Sequence, residues 1–160
     1  FVVSGITCKK DEAKISIIGI PDKPGVAAKV FNVLAVNNIN VNMIAQSSLA
    51  QDSALNNISF TIPLADLKAA NQVLDSLRKE LNPESIVIDD DIAILSLVGI
   101  GMKSHPGVAA GVFQILGEHK VNIEMIGTSE IKISVVIQKK HSDEMVRLLH
   151  EYFKLDKISQ

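Results

Sequence analysis

The chain has 160 residues, 47% of them apolar but only 4% aromatic, a formal net charge of −2 and one cysteine, Cys8. This is length for one ordinary domain or two small ones, with a core of Ile, Val, Leu and Ala. The charge gives no electrostatic reason to expect nucleic acid, which usually needs a basic face, the lone Cys8 excludes an intrachain disulfide, and no apolar run approaches the ~20 residues of a membrane helix.

In chain order, Val2–Thr7 is a first strand candidate. Ile15, Ile17 and Ile20 mark a buried strand, and Pro21-Asp22-Lys23-Pro24-Gly25 a turn. Val26, Val30, Val33 and Leu34 then recur at helical spacing until Asn37-Asn38. Residues 39–45 alternate as a half-buried strand, 49–57 read as polar turn, and Ile58, Phe60 and Ile62 alternate again up to Pro63. Leu67, Ala70, Leu74, Leu77 and Leu81 predict a second helix, stopped by Asn82-Pro83, and Ile86–Ile88 a last strand. The order is βαββαβ, the ferredoxin-like arrangement of an α+β fold.

The course then repeats. Pro24–Ile44 and Pro106–Ile126 are identical at 11 of 21 positions, 82 residues apart, so the chain is an internal duplication. The second copy reads strand around Ile94–Val98, helix through Val108, Val112, Ile115 and Leu116, strand from Val121 to Met125, strand from Ile131 to Ile137, and helix through Met145, Leu148, Leu149 and Tyr152, with Ser142 as its cap. Only a polar tail is expected after Phe153, so this copy lacks a final strand while Val2–Thr7 stands unused. An unpaired sheet edge is a liability. The expectation is that Val2–Thr7 completes the second sheet, with a first domain at residues 14–91 inserted into a second made of residues 1–13 plus 92–160, and the two held as a rigid pair.

The strand–turn–helix junction carries the chemistry. It reads Gly19-Ile20-Pro21-Asp22-Lys23-Pro24-Gly25-Val26 in one copy and Gly101-Met102-Lys103-Ser104-His105-Pro106-Gly107-Val108 in the other. One reading is helix initiation, with Asp22 or Ser104 capping and Pro fixing the first turn. The other uses the same physics: free N–H groups at a helix N-terminus attract an anion, and Gly25 or Gly107 admits close approach. A carboxylate would dock there and Asp22 would take an ammonium group. Asn40 and Asn122 open the strand after the first helix in both copies, and an amide with two donors and an acceptor suits a zwitterion.

Other motifs do not hold. Gly99–Ser104 lacks the Gly before Lys of a phosphate loop and the third Gly of a dinucleotide fingerprint. His105, His119, His141 and His150 have no metal-ligand spacing and read as solvated surface residues; Asp89-Asp90-Asp91 reads as a solvated turn between domains. The central strands carry Asn, Ser and Ile where an RNA-binding sheet needs stacking aromatics. No nucleophile–base pair is visible, so no catalytic residue, metal or cofactor is assigned.

These stretches resemble the C-terminal regulatory region of aspartate kinase, a tandem of ACT domains that in some bacteria is also made separately as a β subunit. The resemblance rests on VSGIT, AKISIIGIPDKPGVAAKVFNVLAVNNINVNMIAQS and SLVGIGMKSHPGVAAGVFQILGEHKVNIEMIGTSEIKISVVI, nearly the whole chain. It implies one ACT domain inserted in the other, and feedback inhibition by threonine, lysine or both. It further implies a homodimer through the ACT domains, a kinase catalytic domain or subunit as partner, and a cytoplasmic location. Effectors sit where the first ACT domain of one chain meets the second of another. By motif, one site would pair Asp22, Pro24, Gly25, Val26, Ala27 and Gln46 with Asn122 and Ile123. The other would pair the loop His105–Ala109, including Gly107, and Thr128 with Asn40 and Val41. Ala109 stands where some members carry Thr, and Val26 where some carry Glu. The alternative is a structural dimerisation module without a working ligand site.

Overall fold

Alternation at period two builds the sheets, and three- and four-residue spacing builds the helices that cover them. The computed structural model describes residues 3–48, 54–100 and 105–155. The chain divides into two compact units, one of Asp11–Asp90 and one of Phe1–Lys10 with Asp91–Gln160. Residues 1–2, 49–53, 101–104 with the expected Ser104 cap, and the last five lie outside the described residues.

In the first unit, β2 (Glu12–Pro21) and β4 (Leu55–Pro63) lie at the centre, flanked by β3 (Ile44–Ser48) and β5 (Ser85–Asp89), in the order β3-β4-β2-β5. All pairings are antiparallel. Ala13, Ile15, Ile17 and Ile20 face α1 (Val26–Val36) and α2 (Leu67–Leu81) together with Ile58, Phe60 and Ile62, and the Phe31 and Phe60 rings meet edge to face with centroids 5.5 Å apart. α2 ends at Leu81, as the Asn-Pro stop predicts, and Asn82 caps it in a left-handed conformation at φ 46.

The second unit repeats this order. β6 (Ile92–Gly99) and β8 (Lys132–Gln138) are central, β7 (Met125–Thr128) lies at one edge, and α3 (Pro106–Glu118) and α4 (Ser142–Tyr152) cover the sheet. The other edge is β1 (Val3–Lys9), which pairs antiparallel with β6 from Val3 opposite Gly99 to Lys9 opposite Ile94. The missing strand of the second copy is thus the N-terminal one, and the fold is two βαββαβ units with the first inserted in the second.

Five local expectations are corrected. The strand expected over residues 39–45 starts only at Ile44, and that expected over Val121–Met125 only at Met125. Before Ile44 the pairing is irregular: Asn42 N–H donates to the Thr61 carbonyl and Thr61 N–H to the Met43 carbonyl, both at 3.0 Å, while Met43 N–H goes to the Thr61 hydroxyl, also at 3.0 Å. Residues 55–57 are strand, not turn. Asn57 serves the opposing backbone: its Oδ1 accepts from Gly19 N–H at 3.0 Å where β2 bulges between Ile18 and Ile20. Ser142 is not a cap: it is the buried first residue of α4, and its hydroxyl donates to the Lys139 carbonyl at 2.7 Å. The chain past Phe153 is not wholly polar tail, because Leu155 is buried in the second core.

Candidate functional site

Each unit has a cleft at the same place, between the start of its first helix and the neighbouring edge strand. In the first unit the cleft holds about 370 Å³. Its floor is the 21–27 bend, with Asp22, Pro24, Gly25, Val26 and Ala27 in the lining, and its wall is Gln46 of β3 with Asn56 and Ile58 of β4. Pairing explains the wall: Gln46 is opposite Ile58, so both project to the helix-covered side of the sheet.

Gly25 makes the bend. It is the N-cap of α1 at φ 93, a left-handed conformation that side chains disfavour, and nothing lies within 4 Å of where its Cβ would be. No side chain caps α1, so the expected capping by Asp22 is corrected. Asp22 instead turns to β4, where its Oδ1 accepts from Asn56 Nδ2 at 3.1 Å while its own N–H donates to the Ala54 carbonyl at 2.7 Å. A hydrogen-bonded carboxylate therefore lies on an exposed rim beside a helix terminus that no side chain caps. This arrangement offers an acceptor for an ammonium group and partial positive charge for a carboxylate.

The second cleft holds about 380 Å³, lined by His105, Pro106 and Ala109 of the helix start and by Thr128, Ser129, Glu130 and Ile133 of the β7–β8 hairpin. Here Pro106 is the first helical residue, and His105, the N-cap, makes no capping bond through its side chain. Thr128 is opposite Ile133, the relation of Gln46 to Ile58.

The remaining expected residues lie elsewhere. Gly107 is exposed in the first turn of α3, outside the lining. Asn40 and Asn122 are exposed on the segments between helix and edge strand, and Val41 and Ile123 pack partly against the cores of their own units. Each unit thus brings together one half of the expected residues, and neither cleft contains the Asn-and-aliphatic half. Sequence reasoning missed Asn56 and Ile58, and Ser129 and Glu130. Their signal was the register of β4 and β8, which only a settled start for those strands reveals.

Other chemistry finds little support. Among the described residues no group of three or more His, Cys, Asp and Glu is placed to hold a metal, and no helix is long and apolar enough to cross a membrane. Burial pushes the Cys8 thiol up from its ordinary pKa, the reverse of an activated nucleophile.

The family model for the ACT domain matches residues 15–77 and 95–153. The aspartokinase of Corynebacterium glutamicum is 44% identical over 96% of this chain, and the aspartate kinase of Pseudomonas fluorescens 43% identical over 97%. The chain spans 37% of the length of these curated relatives. Among solved structures, aspartokinase alpha and beta subunits match at 42% identity and TM-score 0.88, covering 96% of this chain and 99% of that one. The ligand-free regulatory subunit of aspartate kinase from Thermus thermophilus matches at 37% identity and TM-score 0.88, covering 94% and 98%.

Proposed function

The chain belongs to the ACT-domain family as a regulatory region of aspartate kinase, and on that premise we propose that its two clefts bind a small amino acid, threonine and/or lysine, at contacts between subunits. The observation that carries this reading is the first cleft. A left-handed glycine, an uncapped helix start and an anchored carboxylate converge on a space the size of a small ligand. The effector's carboxylate lies toward Gly25 and Ala27, its ammonium toward Asp22, and Gln46 supplies a further amide. Asn122 and Ile123 of a second copy close this site. The second cleft, with His105, Gly107, Ala109 and Thr128, is closed in turn by Asn40 and Val41. The partners are a second copy of this chain and an aspartate kinase catalytic domain or subunit, in the cytoplasm. Effector binding orders the interface and favours an inhibited kinase state, a coupling of ~1–3 kcal/mol.

Asp22→Ala tests the reading. Its side chain is exposed, so the fold is expected to survive while affinity falls by about tenfold, the loss typical of a charge-assisted hydrogen bond. Calorimetric titration with threonine and with lysine reads it, and unchanged affinity for both removes Asp22 from the site. A second reading, a dimerisation module without a ligand site, draws on the exposed edge-strand residues Ile44 and Ile126, 57% and 49% accessible. Thermal shift against the twenty amino acids separates the two, because only a ligand site stabilises the folded state in proportion to occupancy.

A further inference from the structure

The segment that carries Asn40 and Val41 is tied down by a residue far from it in sequence. Glu12, the first residue of β2, is 1% exposed, an unusual place for a carboxylate. Its Oε1 accepts from Asn42 Nδ2 at 2.9 Å. Asn42 directly follows Asn40 and Val41, in the stretch where the pairing with β4 is irregular and the one residue Thr61 bonds both Asn42 and Met43. With regular strand pairing beginning only at Ile44, the hydrogen bonds that tie residues 39–43 to the sheet among the described residues are those of Thr61 and Glu12, beside the packing of Ile39 and Val41 on the core. Glu12 also lies just past the point where the chain passes from one unit into the other, between Lys10 and Asp11.

The second unit does this differently. Glu124 takes the place of Asn42, and its carboxylate accepts from Gln138 Nε2 at 3.1 Å, from the far end of the paired strand. The residue of β6 nearest to the place of Glu12 is the buried, apolar Ile92. The Asn122–Ile123 segment is therefore held from its own hairpin, and the Asn40–Val41 segment from the strand that enters the unit.

We infer that Glu12 is a positioning residue: through Asn42 it fixes the Asn40–Val41 segment, and with it the affinity of the one effector site to which that segment contributes. The ligand half of this inference rests on the reading under Proposed function; the positioning half does not. What the Asn42 amide needs at this place is an oxygen acceptor, and in a buried setting that bond is little weakened by water.

Three variants of the full chain test it. Glu12→Ala removes the acceptor; Glu12→Gln keeps an oxygen in the same place; Asn42→Asp, at an exposed position where the other unit already carries an acid, sets a like charge against Glu12 with the least risk to folding. Amide hydrogen exchange on the ligand-free protein is read first. Residues 39–43 are expected to exchange about tenfold faster in Glu12→Ala and Asn42→Asp, with central β4 amides unchanged and Glu12→Gln near the parent. Unchanged exchange at 39–43, or a rise spread equally over the unit, overturns the positioning role.

Calorimetry with threonine and with lysine is read second. One class of site is expected to weaken about tenfold in Asn42→Asp and the other to stay within twofold. Equal weakening of both classes, or of neither, overturns the link to the effector. If the parent protein binds neither amino acid, the ligand half falls together with the proposed function, and the exchange result still decides the positioning half.

Discussion

The two units carry equivalent glycines in a central strand and satisfy the backbone N–H of each with different chemistry. Gly19 and Gly99 each lie two residues beyond a paired core residue, Ile17 opposite Ile58 and Leu97 opposite Ile133. Gly99 N–H donates to the Ile131 carbonyl at 2.9 Å, a main-chain partner. Gly19 N–H donates to the Asn57 side chain. With a side chain occupying that role, β4 runs on to Leu55 and pairs as far as Pro21, and Asn56 is carried to where it holds Asp22. β8 begins only at Lys132. From the glycine to the shared Pro-Gly there are four intervening residues in the first unit and six in the second. One topology therefore supports two clefts whose polar groups differ: an aspartate, a lysine, an asparagine and a glutamine in one, a histidine, a threonine, a serine and a glutamate in the other.

The largest break in this comparison is Gly19→Ala. Gly19 has φ 72, and an added Cβ would lie 2.5 Å from Glu84 Cγ and 2.9 Å from Glu84 Cβ, inner atoms of a side chain that cannot simply swing its tip away. The left-handed conformation alone costs ~1–2 kcal/mol for a residue with a Cβ, and with the contact a loss of about 3 kcal/mol is expected. It should be local: exchange protection falls at Asp11–Asp90 amides and holds across β6 and β8. Equal loss in both units would show that they do not unfold as separate bodies.

Next in size is a pair of substitutions at matched serines. Ser16 and Ser59 share a hydrogen bond at 2.8 Å, and Ser96 and Ser134 one at 2.7 Å, at corresponding cross-strand positions. The second pair is buried at both residues, whereas Ser59 is only half-buried. Removing one partner of a buried pair leaves the other unsatisfied, so Ser134→Ala should cost about 1–2 kcal/mol and Ser59→Ala about half as much, because water replaces its bond. Urea denaturation compares them, and the reverse order would mean that burial does not set the strength of this bond.

What sequence alone conveyed follows from how local each signal is. The repeat, the four helices and the vacant sheet position filled by β1 were legible because periodicity and an unpaired edge are properties of whole segments. The starts of β3 and β4 were not. Asn56 and Asn57 are turn formers by propensity, yet here their amides serve Asp22 and the Gly19 bulge, and only the cross-strand register reveals that. Asp22 failed as a cap for the same reason: a short acidic side chain beside a helix start has more than one partner within reach, and Asn56 outcompetes the helix. The bend residues of both clefts were legible from the repeated Pro-Gly, the walls only in part.

The smallest expected effect sharpens the comparison at the helices. At the position where α1 carries Lys29, paired with Glu80 at 3.2 Å, α3 carries Gly111, and the Tyr152 ring of α4 lies over it. A Cβ on Gly111 would meet Tyr152 Cε1 at 2.6 Å, so Gly111→Ala must displace the ring from its place beside Phe153. Ala in a helix interior is favoured over Gly by ~1 kcal/mol. Tyr152 is 46% exposed and has room to turn outward, forfeiting contact of comparable size. The two terms oppose, and a net change within about 0.5 kcal/mol is expected. A clear stabilisation would show that the tyrosine packs on α3 without benefit. A loss above about 1.5 kcal/mol would show that the ring locks α3 to α4, a role the exposed Lys29–Glu80 pair of the first unit is too weak to play. Urea denaturation of Gly111→Ala beside Lys29→Ala decides between these outcomes, and the Lys29 variant should change stability by less than about 0.5 kcal/mol.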